Sequence, residues 1–333
     1  MKIVIIIFLA AFVLALNLSA EYAYETTIME IELKGSITDR NSELSGLTWY
    51  KDNLILLPQY PNFPEYEGVG KIFYIHRNKL LEYIVGDVTI PLEPQEIELD
   101  LAKFNNTIPG FEGFEAILFI EDTVYLTIES EPDKVKGYIV RGKIAPDMSE
   151  IIPDSLFIVE IEPQADVPNA CEESLISVDD KIISIYEANG KNINPHPVAH
   201  TLDLTTDSLN TIEFLNLEYR ITDATEVDEK GRFWVINYFW PGEKEAYDPA
   251  ADYIAEIYGI GETHSQTEVV ERLVELKYKN NRITSAGTPP VILQLDSEGR
   301  NLEGLVRFED LGFLICTDKF PKTILGFVPY SFE

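Results

Sequence analysis

The feature that most constrains the fold is a short pattern that occurs five times along the 333-residue chain. Each copy opens with a polar residue, continues through a small residue and a strand-like apolar run, turns tightly, and ends a second run on another polar residue. The opening residues are Ser45, Glu115, Glu173, Asp223 and Glu303, and the closing residues are Gln59, Glu129, Glu187, Asn237 and Asp318. Because strands joined by a tight turn are antiparallel, the pattern predicts that each opening residue neighbours its closing residue.

The intervals between the copies predict the architecture. Successive openings lie 50 to 80 residues apart, which leaves room in each repeat for two further strands. The candidate outer strands are residues 71–77, 94–99, 137–143, 155–161, 199–204, 210–215, 270–278, 290–295 and 323–329. Residues 268–276 have an apolar spacing that fits a helix or a strand, and we interpret them as a strand. Four strands per repeat are typical of propeller blades, so the sequence predicts an all-β, five-bladed β-propeller.

Two segments bear on how the predicted propeller closes. The last repeat runs out of chain before a fourth strand, and residues 27–33 can supply it, which would close the ring without an exposed edge. The long interval between Asp223 and Glu303 could hold a sixth blade, which is the main structural alternative. We interpret residues 241–266 in that interval as an insertion.

The N-terminus has the pattern of a targeting segment. Lys2 is followed by an apolar run over residues 3–16 and then by a short polar and small-residue stretch ending at Ala20. This pattern predicts a secretory signal peptide over residues 1–20 and a single propeller domain over residues 21–333, with an uncleaved anchor as the alternative. We therefore expect a secreted or periplasmic protein whose mature chain has no integral membrane segment.

Composition excludes several classes of partner and fold. The chain has 57 acidic and 26 basic residues, so its formal net charge is −31. Such a charge repels nucleic acid and anionic membranes, and we expect an acidic, solvated monomer. Hydrophobic residues make up 45% of the chain, which excludes an acidic disordered chain. Two cysteines exclude a disulfide framework.

The repeated polar residues predict a cation site. Inner hairpins line the channel of a propeller, so the opening and closing residues would form a ring at one mouth, with seven carboxylates among ten positions. Like charges this close need protons or a counter-ion, and oxygen ligands without His or Cys favour calcium. The predicted metal ligands are Glu115, Glu129, Glu173, Glu187, Asp223, Asn237, Glu303 and Asp318. The alternative is that these acids cap strands or pair with basic residues such as Arg220 and Lys319.

Loops that follow the second strands should open at the same mouth. They carry Tyr60, Trp240 and Lys319, which are candidates for binding a substrate in an aromatic-rimmed pocket above the cation. The aromatic side chains could equally pack the loops against one another.

Three short motifs resemble those of secreted propellers. Glu43-Leu-Ser-Gly-Leu-Thr-Trp49, Gly113-Phe-Glu-Ala-Ile117 and Leu302-Glu-Gly-Leu305 look like repeated E-x-S-G-L and E-G-L/I motifs. They resemble those of the phytase-like (esterase-like) and SdiA-regulated propeller families, and are more distantly similar to gluconolactonase-type and paraoxonase-type propellers. The resemblance implies a calcium ion held in the channel by Glu, Asp and Asn. The first repeat departs from it, because Ser45 and Gln59 stand where acids are expected.

The same resemblance implies an activity and a base. Lactonase-like propellers place a histidine near calcium as general base, which makes His196, in the loop of residues 192–200, the catalytic candidate. The implied function is a calcium-dependent hydrolase of a phosphate ester, ester or lactone. The alternative is a non-catalytic propeller that binds a small molecule, glycan or protein and keeps a structural calcium ion.

Overall fold

The computed structural model describes residues 22–63, 69–86, 90–296 and 299–332. The predicted signal peptide, residues 1–20, lies outside these residues. The described chain is mostly β-structure, with short helices in the connections. None of the helices in these ranges is long and apolar enough to cross a membrane.

The N-terminal half forms one continuous sheet. Two short strands and two 3-10 turns come first: β1 (Glu25–Thr26), β2 (Met29–Ile31), Ser36–Thr38 and Arg40–Ser42. The first four-stranded unit then contains β3 (Leu44–Tyr50), β4 (Asn53–Pro58), β5 (Gly70–His76), α1 (Arg77–Val85) and β6 (Gln95–Leu99). The second contains α2 (Ala102–Asn105), β7 (Phe111–Ile120), β8 (Thr123–Ser130), β9 (Lys136–Ile144) and β10 (Glu150–Ile161). A short parallel pairing of β6 with β10 joins the two units into eight strands.

The C-terminal half forms three separate sheets. The third unit contains β11 (Glu172–Val178), β12 (Lys181–Tyr186), β13 (Val198–Asp203) and β14 (Leu209–Glu213). The fourth contains β15 (Arg220–Ala224), β16 (Arg232–Phe239), β17 (Val270–Tyr278), β18 (Ile283–Ser285) and β19 (Val291–Leu293). The fifth contains β20 (Leu302–Phe308), β21 (Gly312–Thr317) and β22 (Leu325–Pro329). Residues 241–266, between β16 and β17, form Pro241–Glu243, α3 (Lys244–Tyr247), α4 (Tyr253–Tyr258) and His264–Gln266.

The N-terminal strands complete the last two sheets. β2 pairs antiparallel with β22, which confirms the strand predicted within residues 27–33. β1 pairs parallel with β19 of the fourth unit, so the chain start bridges neighbouring sheets. The ambiguous residues 268–276 are also confirmed as a strand, since β17 covers most of them and pairs with β16 along its length.

The sheets pack face to face in a cycle. The first strands of the units contact one another in the closed order β3, β7, β11, β15, β20 and back to β3. A buried apolar cluster fills each space between neighbours. Phe114 of β7 and Ile55 of β4 belong to the cluster between the first two units, and Leu314 of β21 and Leu54 of β4 belong to the one between the fifth and first. Hydrophobic burial between twisted sheets around a common centre is the architecture of a β-propeller. The inner strands therefore surround one central space.

Candidate acidic channel site

A β-bulge occurs in each of the inner hairpins at the opening residue of the repeat. In the third hairpin, Glu172 pairs with Tyr186 and Ser174 with Ile185, so Glu173 between them has no partner. The same interruption occurs at Ser45 and Glu303, and in the second and fourth hairpins it covers the residue pairs 115–116 and 222–223. A bulge leaves its extra residue unpaired and re-aims the side chain. Glu129 pairs with Gly113, and Glu115 lies in the bulge two residues further along β7, so these two acids are close neighbours without being direct strand partners.

Five of the predicted ring residues form a buried group that we call the glutamate cluster. It consists of Glu115, Glu129, Glu173, Glu187 and Glu303. Their exposed fractions lie between 0% and 6%. Burial raises the pKa of Glu115 to about 7 and that of Glu129 to about 9, and repulsion from other cluster members adds to both shifts. Burial also raises the pKa values of Glu173, Glu187 and Glu303. The cluster therefore favours either protons or a bound cation.

Arg220 supplies positive charge on one side of the cluster. Its guanidinium bonds to the Glu187 carboxylate, lies 3.4 Å from Glu303 Oε1, and reaches Glu243 Oε1 at 3.7 Å. Glu187 and Glu303 therefore pair with a basic side chain, which was the alternative to metal binding that the sequence left open. Within the described residues, no salt bridge to a basic side chain neutralises Glu115, Glu129 or Glu173. The negative charge of the cluster is only partly matched.

Three other predicted ligands are engaged in structural hydrogen bonds. The Asp223 carboxylate accepts from the backbone N–H groups of Ala224 at 2.8 Å, Leu305 at 2.7 Å and Leu47 at 3.4 Å. It thereby links the inner strands β15, β20 and β3. The Asn237 side chain donates to the carbonyls of Glu218 and Arg220 and accepts from Arg272 at 2.8 Å. Asp318 accepts from Asn301 at 2.8 Å and from the Phe320 N–H at 2.6 Å.

Cys171 joins the cluster, which the sequence did not predict. Its sulfur and one carboxylate oxygen each of Glu129 and Glu173 lie within 4.8 Å of one another, and all three residues are buried. The expectation that the ring lacks cysteine is therefore wrong. The signal was present, because Cys171 stands two residues before an opening residue. Both Cys171 and Cys316 are free thiols.

The insertion supplies two further residues that the sequence did not predict. Tyr247 of α3 is buried, and burial together with the nearby Glu187 raises the pKa of its hydroxyl. Glu243 approaches Arg220 from the same segment. The segment follows the closing residue Asn237 by only a few positions, so it emerges beside the cluster. The first part of the insertion thus covers one side of the cluster with Glu243 and Tyr247.

The predicted substrate-binding residues lie in different surroundings. Tyr60 is half-buried, and burial followed by the nearby Glu115 raises the pKa of its hydroxyl. Gln59, next to it, donates to Glu115 Oε1 at 3.0 Å. Lys319 is half-buried and binds Glu43 Oε2 at 2.7 Å. Trp240 is 53% exposed at the start of the insertion. Tyr60 and Glu115 are therefore brought together.

The histidines lie outside the glutamate cluster. His196 is exposed and lines a surface pocket with Phe214, Asn216 and Arg282. His200 Nδ1 lies 3.1 Å from Glu172 Oε1, a buried carboxylate beside the third hairpin. His264 Nδ1 lies 2.8 Å from Glu25 Oε1. No interaction joins these three imidazoles to a cluster carboxylate among the described residues.

Comparisons with known proteins do not assign a function to this chain. No protein-family model matches the sequence, and no curated protein matches it. Among solved structures, the chain is similar to a soluble aldose sugar dehydrogenase from Escherichia coli, with 11% identity and TM-score 0.46, covering 92% of this chain and 100% of that one. It is also similar to a GH43_1 enzyme from Xanthomonas citri, with 7% identity and TM-score 0.48, covering 92% of this chain and 91% of that one. Similarity at this level carries no argument about chemistry.

Proposed function

We propose that this protein is an exported, monomeric, five-bladed β-propeller whose glutamate cluster binds a divalent cation. We further propose that it hydrolyses a phosphate ester, a carboxylic ester or a lactone at the channel mouth. The observation that carries the proposal is a group of five buried carboxyls that one guanidinium contacts at only two members. Several ionised carboxylates cannot share a buried space without a counter-charge.

The cycle of inner strands supports the proposed count of five blades. β3, β7, β11, β15 and β20 close on one another, and residues 241–266 form helical turns where a sixth blade would need strands. The parallel pairing of β6 with β10 joins only the outermost strands of two blades. Each blade then brings one opening residue to the channel.

The residues fit a cation, and calcium is the ion expected from oxygen ligands. Glu115, Glu129 and Glu173 would hold it, since Arg220 already binds Glu187 and Glu303. A bound cation would polarise a substrate oxygen and lower the pKa of a coordinated water. Tyr60 and Lys319 would contact a phosphoester, glycan or other small ligand above the cluster. His196 lies at a separate pocket, so water activation in this proposal does not depend on an imidazole.

The burial of the cluster favours a second candidate, a non-catalytic propeller with a structural ion. The cluster carboxylates are almost inaccessible, and Tyr247 covers them on the insertion side. In this case the cation would join the blades, and a ligand or protein partner would bind at the aromatic rim near Trp240.

Metal analysis and hydrolysis assays with the mature chain test both candidates. We expect a stoichiometric divalent cation in the purified protein, and a cation at about 100 times its Kd should add about 2.7 kcal/mol of stability. Glu115→Gln should lose the ion, whereas Glu121→Gln, exposed at the turn of the same hairpin, should keep it. Turnover that a chelator abolishes supports the hydrolase.

Other outcomes separate the candidates. A chelator that lowers the melting temperature, with no turnover on phosphoester, ester and lactone panels, supports the structural ion. The absence of both a bound cation and cation-dependent stability would reject the site. Sequencing the N-terminus of the native protein tests export, because the mature chain should begin after residue 20.

A further inference from the structure

We infer that Cys171 is a metal ligand, and that with Glu129 and Glu173 it forms a mixed thiolate–carboxylate site selective for zinc-like divalent metals over calcium. The inference rests on the proposed cation site and specifies its ligand set and ion class. It departs from the oxygen-only set that the sequence indicated.

The geometry brings the three ligands together from two neighbouring units. Glu129 lies near the end of β8, Cys171 directly precedes β11, and Glu173 is the bulged residue of β11. Their ligand atoms lie within 4.8 Å of one another, a spacing that small shifts would convert into coordination around one ion. None of the three is more than 3% exposed. Such an enclosed arrangement favours a compact, low-coordination metal over an ion that takes six to eight oxygens.

An unsatisfied carboxylate oxygen points to a missing partner in the same space. Glu187 is fully buried, and its other oxygen is bonded to Arg220. Its Oε2 has no hydrogen bond of good geometry, although the Tyr247 hydroxyl lies near enough to lower the pKa of the carboxyl. The Glu187 charge raises the pKa values of both Glu129 and Glu173, so it belongs to the same buried acidic group as these two ligands. A buried acceptor without a donor is costly unless a cation or ordered water completes it.

The surroundings of the thiol argue against the other roles of a buried cysteine. A nucleophilic cysteine needs nearby positive charge to favour its thiolate, whereas the charged neighbours of Cys171 are the carboxyls of Glu115, Glu129, Glu172 and Glu173. A packing cysteine lies within an apolar cluster, as Cys316 does between the first and fifth units, although the carboxyls of Asp223 and Glu303 are also near its thiol. Without metal, the Cys171 thiol can donate to Glu129. With metal, that proton would be released as the thiolate coordinates.

The choice of metal follows from ligand softness. Thiolate ligands select zinc and related metals, while calcium takes oxygen ligands only. Losing even an outer-shell partner typically costs metal affinity about 10-fold to 100-fold, so losing a thiolate should lower zinc affinity at least about 10-fold.

The experiment titrates the metal-free mature chain with Zn²⁺, Cd²⁺ and Ca²⁺. Cd²⁺ should produce the ultraviolet thiolate-to-metal absorption band, and Zn²⁺ should abolish it by competition at concentrations where Ca²⁺ does not. Cys171→Ser should lose the band and at least about 10-fold in Zn²⁺ affinity. Cys316→Ser is the matched control, because it removes the other buried free thiol, and it should keep both.

A second measurement, the rate of cysteine alkylation, uses only the wild-type protein. In partially denatured wild-type protein, Zn²⁺ should slow alkylation of Cys171 relative to Cys316, and Ca²⁺ should not. The inference is overturned if the Cd²⁺ band persists in Cys171→Ser, or if Zn²⁺ protects both thiols equally. Calcium binding without a thiolate band would overturn this inference alone, whereas the absence of any bound cation would overturn the proposed function as well.

Discussion

Two buried charged regions of this protein differ in how their charges are matched. On β17, Arg300 hydrogen-bonds both carboxylate oxygens of Glu271. The Arg300 backbone N–H donates at 2.6 Å, and its guanidinium donates at 2.6 and 2.8 Å. Nearby, Arg272 binds both oxygens of Asp252 at 2.7 and 2.9 Å. In the glutamate cluster, by contrast, the Arg220 guanidinium contacts only two of the five carboxyls, those of Glu187 and Glu303.

This difference distinguishes a polar network that only stabilises the fold, along β17, from a candidate binding site, the glutamate cluster. Buried charges that serve only stability are paired and hydrogen-bonded, because an unpaired one costs several kcal/mol. The β17 pairs meet that condition without any additional partner. The glutamate cluster meets it only with protons or with a cation, so its balance should depend on pH and on metal.

The largest expected effect comes from removing the matched guanidinium. Arg300→Met should cost about 3–5 kcal/mol of unfolding free energy, because it leaves Glu271 buried without its partner. Arg220→Met should cost less, since cluster carboxyls can take up a proton, and a saturating divalent cation should recover part of the loss. Urea denaturation with chelator or cation measures both. Equal recovery of the two variants by cation would contradict the comparison.

The next effect is the pH dependence of the metal-free protein. The pKa values of Glu115 and Glu129 rise from 4.5 to about 7 and about 9, so the native state holds more protons than the unfolded state across this window. Stability from these groups is therefore fully present below pH 4.5 and is lost as pH rises toward about 9. The Glu115 shift alone corresponds to about 3 kcal/mol.

Unfolding curves between pH 5 and pH 9 check this slope. In chelator the free energy should fall with pH, and with a saturating cation the fall should disappear, because binding favours the ionised carboxylates. Asp154 and Glu160, whose pKa values are lowered by Arg141 and Lys136, contribute the opposite slope only at more acidic pH. A metal-free stability that rises over this range would sink the protonated-cluster interpretation.

The smallest effect distinguishes two acids of the ring. Asp223→Asn should cost about 2 kcal/mol with or without cation, because an amide nitrogen would face the backbone donors of Leu47 and Leu305. Glu173→Gln should instead stabilise the metal-free protein at pH 8 by about 1 kcal/mol, since folding no longer has to protonate this buried carboxyl or bury it as a charge. It should also abolish stabilisation by cation. Melting temperatures with chelator and with cation report both results.

The strands were predictable from sequence because the inner hairpins combine apolar alternation with short turn-forming segments. Lys51, Glu121, Asp179 and Glu309 adopt the left-handed conformation at those turns, as tight hairpins require. The strand that completes the fifth unit was predictable because a closed propeller leaves no free edge. α1, between β5 and β6, was not predicted; its sequence lies in a connection that the repeat does not constrain.

The candidate site was predictable in part, and its limits have a physical cause. The repeat placed the glutamates near one another, because equivalent positions of equivalent hairpins face a common centre. The hydrogen bonds of Asp223 and Asn237 depend on β20, β3 and β17, which the pattern of a single hairpin does not contain. Tyr247 approaches from an insertion outside the repeat, about which the periodicity carried no information. Cys171 lies in a loop just before the third copy of the repeat, and only its position two residues before Glu173 indicated that it would lie near the ring.

The repeated bulge has a consequence for how this channel can evolve. Successive residues of a regular strand point to opposite faces of the sheet, so replacing one of them disturbs the packing between sheets. The bulged residue is exempt from that alternation, and the first unit shows it, since Ser45 uses the position to donate to the Phe114 carbonyl at 2.6 Å. The acids at the equivalent positions can change identity while the hairpins keep their register. The lining of the channel can thus vary without a change of register, except at Asp223, whose carboxylate links three inner strands.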